Sequence, residues 1–273
     1  MSEIVLSSGV RSNLLQLQQT TNLITQTQNR LATGKKVNSA LDNAINFFTA
    51  QGLDTRANTL NSLLDSMSNG VNTIQAANNG ITSITKLVQS AQALTSQAQQ
   101  ANNTTTQATL AAQFNSLLTQ IGQLASDSGF NGVNLLGGNT LTVTLDETGA
   151  STISVAGVDY TNANAAPLSI ANAANNWAAA SDIAAASTAL SAALTSLQGE
   201  SQTLSSSLSS VQIRQDFTKS MINTLQSGSD SLTLADSNEE GANLLALQTR
   251  QQLSSTALSL AAQADQNVLR LFR

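Results

Sequence analysis

The sequence has no cysteine and no histidine, and its single proline is Pro167. The missing cysteine excludes a disulfide framework and a thiolate nucleophile, and the missing histidine excludes an imidazole base. Without either residue an ordinary zinc site is excluded as well. Aromatic residues make up 3% of the 273 residues, so the chain has few bulky anchors for one compact core.

Charged residues are also scarce, at 10% of the chain against about 25% in ordinary soluble domains. The net charge is −5 and the 11 basic residues are spread thinly, which argues against nucleic acid and anionic membrane surfaces as partners. No apolar run approaches the roughly 18 residues that span a bilayer. Residues 1–6 carry no basic segment followed by an apolar block, so we expect no cleaved secretory signal.

Neutral polar residues replace the charge: serine, threonine, asparagine and glutamine account for 119 residues. Among these polar residues, each end of the chain carries a hydrophobic repeat with alternating spacings of four and three. This repeat predicts that the two ends form paired coiled-coil helices. The predicted pairing residues near the N-terminus are Val10, Leu14, Leu17, Ile24 and Leu31, with Thr21 and Gln28 in the same repeat. Those near the C-terminus are Leu253, Ala257, Leu260, Ala264, Val268 and Leu271.

Three further helices are predicted between the ends: one from about Asn46 to Ala101, one after the polar turn 102–106, and one ending before the break expected at 227–229. Their predicted core residues are Leu60, Leu64, Met67, Val71, Ile74, Ile81, Ile84, Val88, Leu110, Phe114, Leu117, Ile121, Leu190, Leu197, Leu204, Leu208, Val211, Ile222 and Leu225. Alternating residues in 140–145 and 152–155, separated by a turn, predict one β-hairpin.

This order predicts a mainly α fold, an elongated antiparallel helical bundle or coiled coil with one small β-hairpin and paired terminal helices. The expected divisions are an inner helical domain (1–33 and 237–273), linkers (34–45 and 228–236), a helical middle domain (46–128 and 177–227) and a loop and hairpin region (129–176). The short seams bury too little to stand alone, which favours ordered self-assembly over the alternative of a monomeric bundle.

No constellation for catalysis is evident. The adjacent carboxylates Asp146–Glu147 and Glu239–Glu240 face apart on a strand or helix, and the glycines of 132–138 lack the lysine of a phosphate loop. We therefore expect no enzyme activity, no cofactor and no metal site.

Three segments resemble flagellin motifs. Residues 31–44 read LATGKKVNSALDNA, residues 130–136 read FNGVNLL, and residues 264–273 read ADQNVLRLFR. They occur in the family's order and span nearly the whole chain, and the short middle region is similar to that of flagellins with almost no outer domain.

The resemblance implies a structural subunit that polymerises into the bacterial flagellar filament, outside the cell. It implies export as an unfolded chain, assembly at the distal tip, and homopolymer contacts, with related flagellins as further partners. An export chaperone, the export apparatus, and cap and hook-junction proteins are the other implied partners. The alternatives are a hook–filament junction protein or another type III-exported helical protein.

Some flagellins carry sugars on serine and threonine. The resemblance makes the hairpin and the loop after it the candidate carrier here. Its candidate residues are Thr140, Thr142, Thr144, Thr148, Ser151 and Thr161.

Many flagellins also carry an Arg-Glu pair in a segment that a Toll-like receptor recognises. At the matching positions this chain has Gln92 and Ala93, so the charge that the receptor reads is missing. We expect weak or no receptor activation by the purified monomer in a cell-based reporter assay. Activation as strong as that of an Arg-Glu flagellin measured beside it would contradict this.

Overall fold

The computed structural model describes residues 8–271, except for the side chains of Asp265 and of residues 268–271. The helices are α1 (Ser8–Thr33), α2 (Ala44–Gln100), α3 (Thr104–Asp127), α4 (Ala180–Thr233) and α5 (Ser237–Leu271). Strands β1 (Leu141–Thr144) and β2 (Thr152–Val155) form an antiparallel hairpin in which Leu141 pairs with Val155. The prediction of a mainly α chain with one small β-hairpin is confirmed.

The chain divides into two compact units. The terminal unit comprises the described parts of Met1–Thr55 and Thr224–Arg273, and the central unit comprises Arg56–Asn223. Helices α2 and α4 each contribute to both units, so the divisions fall inside helices and not at the linkers expected from the sequence.

In the terminal unit, α1 packs against α5, and backbone bonds tie the segment after α1 to the end of α4. The Lys36 N–H donates to the Thr233 carbonyl over 2.7 Å, and the Ala235 N–H donates to the Gly34 carbonyl over 3.0 Å. Gly34 has a φ of +69°, a left-handed conformation that glycine adopts without strain and that ends α1.

Helix α4 does not break at 227–229, where the sequence predicted a linker from residue 228. It continues to Thr233, and only residues 234–236 separate it from α5. One glycine costs a helix about 1 kcal/mol, which packing on one side of the helix offsets. Leu225, Ser229 and Thr233 are buried at four-residue spacing, and a Cβ on Gly228 would lie 3.3 Å from the Leu53 side chain.

The central unit has a continuous apolar core between α2, α3, α4 and the loops. Of the predicted core residues, Leu64, Val71, Leu110, Leu117 and Leu208 are half-buried and the others are buried. Leu225, one of the buried ones, belongs to the terminal unit. The loops add side chains that periodicity did not indicate. These fully buried residues are Leu135, Leu136, Tyr160, Leu168, Ile170 and Trp177.

A tight turn starts the loop region. Asn131 and Gly132 have φ values of 47° and 80°, and Phe130 and Val133 exchange N–H to carbonyl bonds of 2.9 and 3.0 Å. Two successive left-handed residues define the mirror-image turn that asparagine and glycine favour. Further along, a Cβ on Gly122 of α3 would overlap the Thr161 carbonyl oxygen, so the loop packs directly on the backbone of α3.

Two isoleucines test how much the buried core contributes. Ile84→Ala removes a side chain that is 0% exposed, so we expect the free energy of unfolding of the central unit to fall by about 2–5 kcal/mol. The same substitution at Ile213, which is 66% exposed, should change it by no more than about 0.5 kcal/mol. Urea unfolding followed by the fluorescence of Trp177, the one tryptophan, measures both. Equal losses in the two variants would contradict the assigned core.

Candidate assembly surfaces

Helices α1 and α5 meet through two heptad faces. Covered or half-covered residues of α1 at alternating spacings of three and four are Val10, Asn13, Leu17, Thr20, Ile24, Thr27 and Leu31. Those of α5 are Glu240, Leu244, Leu247, Gln251, Ser254, Leu258 and Ala261. Arg30 and Gly241 beside them are half-covered as well, and the alternating spacing is that of a coiled-coil seam. We call this contact the α1–α5 seam.

The seam is unusually polar for a helix pair. Thr20 and Thr27 are buried in it, and the Thr20 hydroxyl donates to the Gln16 carbonyl of its own helix over 2.8 Å. Arg30 and the buried Glu240 form an ion pair of 2.9 Å near one end. Polar side chains at seam positions lower the stability of a helix pair. A single copy therefore holds α1 and α5 together through a weak contact.

The predicted pairing residues fall on different faces. Val10, Leu17, Ile24 and Leu31 are covered or half-covered on the seam side of α1, whereas Leu14 is 42% exposed. On α5 the prediction of pairing with α1 is corrected for four residues, which are exposed: Leu253, Ala257, Leu260 and Ala264. Val268 and Leu271 belong to the helix, but their side chains lie outside the described residues.

The physical reason is that α5 has two apolar sides. At 100° per residue, the four exposed residues form a stripe centred roughly 120° around α5 from the seam. We call it the outer stripe: Leu253, Ala257, Leu260 and Ala264. Leu253 and Leu260 are 67% and 62% exposed. A helix that is apolar on two sides is typical of one buried on two sides. Within a single chain, only one of the two apolar sides of α5 is covered.

Helix α1 shows the same excess of exposed apolar surface. Leu15 is 58% exposed and Leu23 is 46% exposed, both away from the seam. Uncovered apolar side chains on two paired helices indicate a surface that other polypeptides cover.

The candidate carboxylates serve the fold instead of chemistry. Glu240 pairs with Arg30, and Glu147 accepts from Arg56 Nε over 2.6 Å. The pKa of Asp146 is lowered because its carboxylate accepts bonds from the Thr148 hydroxyl and the Ser151 N–H. Within residues 8–271 no cluster of acidic side chains could hold a metal ion. No helix in the described part of the chain is long and apolar enough to cross a membrane.

These features define a class: a helical structural protein that exposes apolar surface for self-assembly. Residues 7–140 match the family described as the bacterial flagellin N-terminal helical region. The chain is 33% identical to flagellin FljN and 31% identical to flagellin FljM of Caulobacter vibrioides, over 100% of this chain and 99% of each relative. It is 28% identical to a flagellin of Brucella melitensis over the full length of both.

The chain therefore belongs to the bacterial flagellin family, whose members are structural subunits of the extracellular flagellar filament. The predicted filament function is confirmed, and the alternative of a junction protein is not favoured, because the relatives that match along the whole chain are flagellins.

The buried threonines of the seam offer a direct test of its weakness. Thr20→Val and Thr27→Val replace a hydroxyl by a methyl group at buried seam positions, so we expect slower amide exchange in α1 and α5 of the monomer. Each should slow exchange by about fourfold, the effect of burying one more methyl-sized apolar group.

The matched control is Thr21→Val, an exposed position on the same helix, which should leave exchange rates unchanged. Equal slowing by all three substitutions would show that the effect comes from helix propensity and not from the seam.

Proposed function

We propose that the outer stripe of α5 and the exposed leucines of α1 make the contacts between copies in the filament. The observation that carries this is the position of the outer stripe, on a side of α5 turned about 120° away from the seam. One side of α5 is covered by its own α1, and the other presents Leu253 and Leu260 to solvent. Copies packed around these helices bury the second side.

The same surfaces explain how assembly and folding are coupled. The weak seam leaves the terminal helices of a free copy loosely paired, and contacts with neighbouring copies supply the missing apolar burial. Filament formation then completes the terminal unit, while the central unit with its apolar core folds within one chain.

The route to the filament is also part of the proposal. The chain leaves the cell unfolded through the flagellar export apparatus, with an export chaperone, and adds at the distal tip beneath cap proteins on a filament that starts at hook-junction proteins. The composition supports this passage, since the chain has no disulfide to break, few charges and few bulky aromatic side chains.

Receptor recognition is proposed to be weak for a local reason. Gln92 is half-buried on α2, and its side-chain amide donates to the Ser191 hydroxyl over 3.4 Å, while Ala93 is exposed. A neutral amide held toward α4 and a methyl group replace the charged pair that the receptor reads.

Sugar attachment, if the hairpin carries it, is proposed for Thr140 and Thr142. Both are exposed, whereas Thr144 and Ser151 are half-buried. The hydroxyls of Thr148 and Thr161 donate to the carboxylates of Asp146 and Asp159, which competes with modification.

The outer stripe can be tested by assembly of purified protein. Leu253→Ser with Leu260→Ser removes apolar surface that is exposed in the single chain, so we expect unchanged unfolding of the central unit. The critical concentration for filament growth should rise at least about tenfold, because each leucine loses its burial energy in the filament. Sedimentation and negative-stain imaging measure the growth.

Gln263→Ser is the control, since it changes an exposed polar residue of the same helix. If the double variant grew filaments at the wild-type critical concentration, the outer stripe would not be a contact between copies.

A further inference from the structure

The two most exposed large apolar side chains of the described chain, Leu41 and Ile45, lie in the turn before α2 and in its first turn. Leu41 is 98% exposed, Ile45 is 80% exposed and Phe48 is 61% exposed, at spacings of four and three. Phe48 also contacts Phe47 edge to face, with ring centroids 5.5 Å apart. We call Leu41, Ile45 and Phe48 the apolar knob. Neighbouring exposed side chains of this size mark a surface that gains free energy when a partner covers it.

Local hydrogen bonds hold the knob in place. The Asp42 carboxylate accepts from the N–H groups of Asn38 and Ser39, each over 3.0 Å. The Asn43 side chain accepts from the Asn46 N–H over 3.0 Å and caps the first turn of α2. The knob is therefore a preformed projection and not a loosely tethered loop, which lowers the entropy cost of docking.

The central unit has a groove of about 320 Å³ where the hairpin turn meets α2 and α4. Leu60 and Leu145 form its buried floor, and Phe217, 54% exposed, and Met221 form one wall. The groove thus offers apolar surface that the chain itself leaves partly uncovered.

The charges at the groove and at the knob are complementary. Arg56 at the groove is neutralised by Glu147 of the hairpin turn, whereas Arg214, also at the groove, forms no ion pair with any residue in 8–271. Beside Leu41 is Asp42, whose described hydrogen bonds all go to Oδ2. Arg30 of the same chain also acts electrostatically on this carboxylate, whose Oδ1 accepts no described hydrogen bond. The same backbone N–H bonds lower the pKa of Asp42, so its charge persists at neutral pH.

We propose that the apolar knob of one copy docks into this groove of a second copy, with Leu41 over Leu60 and Phe217, and Asp42 facing Arg214. This rests on the proposed self-assembly and adds a specific contact to it. The two surfaces are different patches of one chain, so the contact is head-to-tail. A contact of this kind propagates along an open helical polymer instead of closing into a dimer.

The absence of cysteine makes crosslinking a clean test. Filaments of a Leu41→Cys, Phe217→Cys double variant, treated with a short bismaleimide, should give a ladder of covalent multimers on a denaturing gel. Co-assembly of the two single variants should give dimers only, and either variant alone should give none. Leu41→Cys with Gln202→Cys is the matched control, because Gln202 is exposed on α4 roughly 22 Å from Phe217 and should not crosslink.

Filaments without a ladder, or with a cysteine at 41 that still reacts freely with maleimide, would overturn the docking while leaving filament formation intact. The second result would assign the knob to another partner, such as a cap protein. Crosslinks within dilute monomers would also overturn it. If the wild-type chain formed no filaments, the proposed self-assembly itself would fail.

A second variant covers the case in which the cysteine pair blocks assembly. Leu41→Ala should raise the critical concentration about tenfold with unchanged Trp177 fluorescence, because the knob lies outside the central unit. An unchanged critical concentration would overturn the docking.

Discussion

The polar seam between α1 and α5 is the constraint on which the terminal unit depends. Thr20, Thr27, Gln251 and Ser254 occupy positions that a self-sufficient helix pair fills with leucine or isoleucine. The same two helices that pair through this weak seam expose apolar side chains away from it. In the proposed assembly, neighbouring copies supply the apolar burial that the α1–α5 seam lacks.

The central unit, in contrast to the terminal unit, has an apolar core. Its core side chains, such as Met67, Ile74 and Ile84, are fully buried within one chain. The ring centroids of Phe114 and Trp177 lie 4.8 Å apart. Direct backbone packing at Gly122 removes any need for a large side chain there. The apolar core of this unit is thus completed within one chain, unlike the α1–α5 seam.

The structural role of the flagellin family places function in surfaces. Its carboxylates cap turns or pair with arginines, as Asp42 and Glu147 show. With charge so scarce, each remaining charged group near an apolar patch sets direction and register more than affinity. In the proposed docking of the apolar knob, Asp42 and Arg214 would orient a contact whose energy comes from leucine and phenylalanine.

The sequence by itself determined the helices, the hairpin and most of the central core, because periodicity and alternation are local and survive in a single chain. It could not decide which side of α5 meets α1, since α5 has two apolar sides of the same period and only packing selects one. It also could not show that α4 continues through Gly228, or that Tyr160 and Trp177 enter the core. Those outcomes depend on contacts between residues far apart in the chain, where burial outweighs local propensity.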